Sequence, residues 1–70
     1  MKTSTVMNLN TGDTQDYTLE PIEALVSAAI LADKRSGDVS NDIVRTKYRN
    51  KVHVSFTGKT ANIGDLCVLL

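Results

Sequence analysis

Residues 21–35 restrict this chain most, because they carry more apolar surface than one helix lying on one sheet can bury. Pro21 suits a first helical position, where its missing N–H has no helical partner to lose. Glu20 and Glu23 sit at the positive end of the helix dipole, with Lys34 and Arg35 at the negative end. Gly37 supplies a stop. At about 100° per residue, Ile22, Leu25, Val26, Ala29 and Ala32 form a core-facing stripe about 120° wide, which Ile30 widens. Ala24, Ala28 and Leu31 form a second row on another flank, and only Glu23, Ser27 and Lys34 mark a polar wedge. Two readings account for the surplus. A second helix covers it and leaves Leu31 alone in solvent, or Ala24, Ala28 and Leu31 make a flat homodimer surface. The nine uncharged residues 24–32 fall far short of the roughly 20 needed to cross a membrane.

The segments around this helix read as strands and one short helix. Residues 3–9 and 14–19 predict a hairpin, turned by Asn10-Thr11-Gly12-Asp13, with Met7, Leu9, Tyr17 and Leu19 facing the core. Residues 41–48 read either as a strand or as a short helix, and the helix is favoured. Asn41 or Ser40 would cap it, with Ile43, Val44 and Tyr48 inward. In residues 51–57, Val52, Val54 and Phe56 alternate with His53, Ser55 and Thr57, as in a strand with one buried face. Thr57-Gly58-Lys59 turns the chain into a return strand over 60–70, which Gly64-Asp65 interrupts as a bulge. The expected fold is α+β: a four-stranded antiparallel sheet in the order β-β-α-(short α)-β-β, with the long helix across one face.

Seventy residues allow one domain spanning 1–70, and 41% hydrophobic content is enough for a packed core. The single cysteine, Cys67, and single histidine, His53, leave no disulfide framework and no zinc-type spacing. No metal or cofactor is expected. The first residues lack an apolar signal segment, so a reducing cytoplasmic setting is expected. Eight basic residues balance eight acidic ones, but not evenly along the chain. Residues 1–33 carry five acidic groups against Lys2, whereas residues 34–59 carry seven basic groups against Asp38 and Asp42.

The basic segment is the most suggestive cluster. Arg45, Lys47, Arg49, Lys51 and His53 alternate. If extended, they line one face as a phosphate track; if helical, Arg45 and Arg49 take one side and Lys47 and Lys51 another. Tyr48 could stack on a base. A solvated basic face, or one that meets an acidic protein, explains the same residues. Asp13, Asp16 and Glu23 form a candidate acidic contact set beside the first turn and helix entry. Gly58-Lys59-Thr60 ends like a phosphate-binding loop, but His53 stands where that motif needs a glycine. Nothing in the sequence orients His53 and Cys67 as a nucleophile pair. The expectation is therefore no enzyme.

Three stretches together carry a resemblance: Asn8-Leu9-Asn10-Thr11-Gly12, the run from Tyr17-Thr18-Leu19-Glu20-Pro21 to Val26, and Gly64-Asp65 before an apolar strand. In size and element order the chain resembles small phage- and mobile-element-encoded proteins, anti-CRISPR inhibitors among them. The resemblance implies a stoichiometric inhibitor that occludes a bacterial defence complex in the host cell. It carries over no site residues. The alternative is a small nucleic-acid-binding module that uses residues 45–53.

Overall fold

Three β-hairpins and a pair of packed helices build the molecule, a computed structural model of which describes residues 3–33 and 39–70. The elements are β1 (Ser4–Asn8), β2 (Thr14–Tyr17), α1 (Pro21–Ala32), α2 (Asp42–Arg49), β3 (His53–Val54), β4 (Thr60–Ile63) and β5 (Leu66–Leu69). The strands form one sheet in the order β2-β1-β5-β4-β3, and every neighbouring pair is antiparallel. Helix α1 crosses one face, and α2 packs against α1. Among the described residues no helix is long and apolar enough to cross a membrane.

The sheet has five strands, not the expected four. Gly64-Asp65 is a reversal rather than a bulge, because Ile63 pairs directly with Leu66 across it. Gly64 has φ +55°, as the first central residue of a type II′ hairpin turn requires. The reversal splits residues 60–70 into β4 and β5 and puts β5 at the centre of the sheet. At the first hairpin, the Asn8 side chain accepts from the N–H groups of Asn10 and Thr11, while Gly12 takes φ +79°. Asn8 thus folds the turn with its own carbonyl oxygen, as Asx turns do.

Strand β1 has the opposite phase to the one expected. Ser4 and Val6 face the helices and are buried, whereas Met7 and Leu9 are exposed. Pairing of Ser4 with Tyr17 keeps Tyr17 on the helix side, where it packs against the core. The Ser4 hydroxyl donates to the Leu19 carbonyl at 2.9 Å, and Leu19 itself is exposed. Strand β3 is only two residues long. Val52 is half-buried, but Val54 is exposed and Phe56 projects entirely into solvent. The expected buried face fails already at Val54, which pairs with Ala61 on the edge strand yet stays exposed.

Helix α1 is covered on both flanks. Ala24, Leu25 and Ala28 pack with Val6, Ala61 and Val68 on the sheet. Val26, Ala29 and Ile30 pack with Tyr48 of α2, joined by Val44 and Val52. Every residue from 24 to 30 is buried as a result, while Leu31 and Ala32 are exposed. The helix ends at Ala32, with Asp33 extended as its cap, short of the expected end at residue 35; Lys34, Arg35 and Gly37 lie outside the described residues. The stretch expected at 41–48 is helical over Asp42–Arg49, and the side chain of the capping Asn41 accepts from the N–H groups of Ile43 and Val44. Tyr48 and Val44 turn inward as expected, but Ile43 is 84% exposed. It lies one position from Val44, about 100° away on the helix.

Candidate protein-interaction surface

One residue of the acidic set, Glu23, meets two of the basic set, Arg45 and Arg49. Glu23 and Ser27 are one helical turn apart on α1, and Arg45 and Arg49 are one turn apart on α2. Arg45 Nη2 donates to Glu23 Oε2, and its Nη1 donates to Ser27 Oγ at 3.1 Å and to the Val39 carbonyl at 2.6 Å. Arg49 Nε donates to Glu23 Oε1 at 2.8 Å. The polar wedge of α1 is therefore where α2 docks. The guanidiniums hold the Glu23 carboxyl below its ordinary value, the Arg45 hydrogen bond being the main cause. Among the described residues no buried side-chain polar atom lacks a partner.

The rest of the basic set divides. Tyr48 is buried, and its hydroxyl donates to Asp33 Oδ2 at 2.6 Å. The Lys51 ammonium lies 5.0 Å from the Tyr48 ring centroid, a cation–π distance. Lys47, Lys51 and His53 are exposed. Because α2 is helical, no extended track of five cations forms. In the acidic set, Asp13 and Asp16 are exposed, and Asp16 accepts from the Thr5 hydroxyl at 2.6 Å. The row Ala24, Ala28 and Leu31 is not one surface: the two alanines lie in the core and only Leu31 is exposed. His53 and Cys67 share the outer face, with β4 between their strands. Two strand spacings put them about 10 Å apart, beyond hydrogen-bond reach.

Two adjoining grooves of about 270 and 450 Å³ meet beside the C-terminal end of α1, sharing Asn8, Ala32 and Leu66 in their walls. Tyr17 lines the first and Tyr48 the second. Burial pushes the Tyr17 hydroxyl above its ordinary value, so it stays protonated.

Exposed apolar side chains are what sequence reasoning missed. Phe56 is 107% exposed on the loop between β3 and β4, although it is the only phenylalanine in the chain. Its loop is internally bonded. Ser55 N–H donates to Thr60, Gly58 N–H donates to Ser55, and the Ser55 and Thr57 hydroxyls lie 3.2 Å apart. Met7 and Leu69 are exposed on the sheet face opposite α1. The turn signal Thr57-Gly58-Lys59 was the clue for Phe56, which lies in the loop between β3 and β4 rather than at a paired strand position. No protein-family model, curated protein or solved structure matches this chain.

Proposed function

We propose that this chain is a non-enzymatic binding protein that occludes a functional surface of a bacterial defence complex in the host cytoplasm. The observation that supports binding is Phe56, a large apolar side chain held in solvent by a hydrogen-bonded loop. A preorganised aromatic loses little conformational freedom when it enters a partner's pocket, and aromatic anchors dominate many interfaces. Lys59 on the same loop and Val54 at its base are also exposed, and provide a polar and an apolar neighbour. The resemblance to small phage-encoded inhibitors supplies the class of partner.

Phage plaquing tests this reading. The chain is expressed in bacteria whose CRISPR–Cas system targets the challenging phage. Plaquing is expected to rise at least about tenfold over an empty vector, and Phe56→Ser is expected to abolish the rise at equal expression. Unchanged plaquing with the wild-type chain expressed would reject the inhibitor reading. Full activity of Phe56→Ser would reject Phe56 as its anchor.

A further inference from the structure

The two edges of the sheet offer different things to another chain. Strand β3 is only two residues long and runs into the Phe56 loop, whereas β2 holds four, Thr14 to Tyr17. In an antiparallel pair the backbone groups of successive residues point alternately toward the partner strand and away from it. The Asn8 N–H donates to the Asp13 carbonyl, and the Leu9 N–H donates to Asp65 on the other side of β1. Stepping by two along the register from Asp13, Gln15 and Tyr17 bond to β1. The N–H and C=O groups of Thr14 and Asp16 therefore point out of the sheet. Among the described residues no strand pairs with that edge.

A groove of about 270 Å³ lies beside the same edge. Helix α1 sits over β1, β5 and β4, and the step from α1 down to β2 forms the groove. Gln15 and Tyr17 stand on its strand side, because they pair with the helix-facing Val6 and Ser4. Leu31, 58% exposed, stands on its helix side. A strand added about 4.8 Å beyond β2 would put every second side chain on the helix side, against Tyr17 and Leu31. The side chains between them would lie on the opposite face, beside Asp16. The charge here is acidic: Asp13 lines the groove, Asp16 stands on the strand, and no described residue of the groove wall is basic. A second copy of β2 would bring the aspartates of both copies into one seam. Lysines or arginines on an added strand would meet opposite charge.

We infer that β2 takes up an extended, basic segment of a protein partner as an additional strand. Its apolar side chains enter the groove between Tyr17 and Leu31, and its cations lie beside Asp13 and Asp16. In strand addition the main-chain hydrogen bonds supply affinity and alternate side chains supply selection. Asp16 also guards the edge, since a charge there opposes indiscriminate pairing. The site lies at the sheet edge opposite β3 and Phe56, and it does not rest on the inhibitor reading.

Amide hydrogen exchange read by nuclear magnetic resonance tests the inference, with a short capped peptide of alternating lysine and valine as the probe. Saturable binding is expected below about 1 mM peptide, with exchange of the Thr14 and Asp16 amides slowed at least about tenfold at saturation. Asp16→Lys and Leu31→Arg, both at exposed positions, should each weaken binding about tenfold or more while leaving the circular dichroism unchanged. Phe56→Ser should bind the peptide as the wild type does, and a peptide of alternating glutamate and valine should not bind. No saturable binding up to about 1 mM would overturn the inference. So would binding that leaves the Thr14 and Asp16 amides unprotected, or equal binding of the glutamate peptide. Protection of these two amides by rising protein concentration alone would assign the edge to a second copy and overturn it as well.

Discussion

The two faces of the sheet obey different rules. On the helix side, Val6, Ala61 and Val68 are at most 3% exposed, and even the polar Ser4 and Ser27 are buried with bonded hydroxyls. On the outer side, the same strands present Met7, Cys67 and Leu69, and among the described residues no layer covers them. One face is closed by a helix whose own second flank is closed by another helix. The contrast separates residues that hold the fold from residues available for contact, and four measurements sharpen or break it.

The largest effect belongs to the closed side. Leu25 is fully buried between α1 and the sheet. Leu25→Ala is expected to cost about 2–5 kcal/mol in urea unfolding. A domain of this size has little more than that in total stability, so the variant should be largely unfolded at room temperature. A cost below about 1 kcal/mol would show that α1 is not the keystone of the core.

Next comes the docking of α2. Arg45→Ala removes the guanidinium from Glu23, Ser27 and the Val39 carbonyl at once, and should cost about 2–3 kcal/mol. Arg49→Ala, at a more exposed position, should cost about 0.2–1 kcal/mol. Arg45→Lys should not restore stability, because an ammonium cannot reproduce the fork. Equal costs for the two alanine variants would contradict the asymmetry in burial.

Acid titration reads the same contact. Glu23 is held below its ordinary value of 4.5, so its ion pairs contribute in full above that value. Their contribution falls as pH drops through the lower, folded-state value. Glu23→Gln should flatten stability against pH in this acidic window and leave the slope near neutrality unchanged. An identical acid slope in the wild type and the variant would place the acid sensitivity elsewhere.

The smallest effect belongs to the open side. Phe56→Ser should change stability by no more than about 0.5 kcal/mol, since the ring touches solvent throughout. A larger loss would mean that the ring packs on the body of the protein.

How much of this was legible follows from how redundant each signal was. Helix α1 carried an apolar period and a proline at its first turn. Helix α2 was marked by Asn41, whose side chain can satisfy two N–H groups, and the first hairpin by Gly12. The strand count was not legible, because Gly64-Asp65 within an apolar run reads equally as a bulge or a reversal. Pairing of Ile63 with Leu66 decides it, and β5 is held in that place by its long-range pairing with β1. The phase of β1 failed for a related reason. Val6 and Met7 are both apolar, so alternation cannot say which side faces the helices when the other side is also apolar. The charged sets were found, but not the contact of Glu23 with Arg45 and Arg49, because Glu23 and Arg49 stand 26 positions apart.

Strand β5 has a kinetic consequence. Each outer hairpin closes over a handful of residues, but Val6 must find Val68 to join them. That encounter spans about sixty positions, and chain-closure entropy makes it the slow step. Side chains at the β1–β5 seam should therefore set how fast the molecule assembles, while α1 and α2 set how firmly it stays assembled.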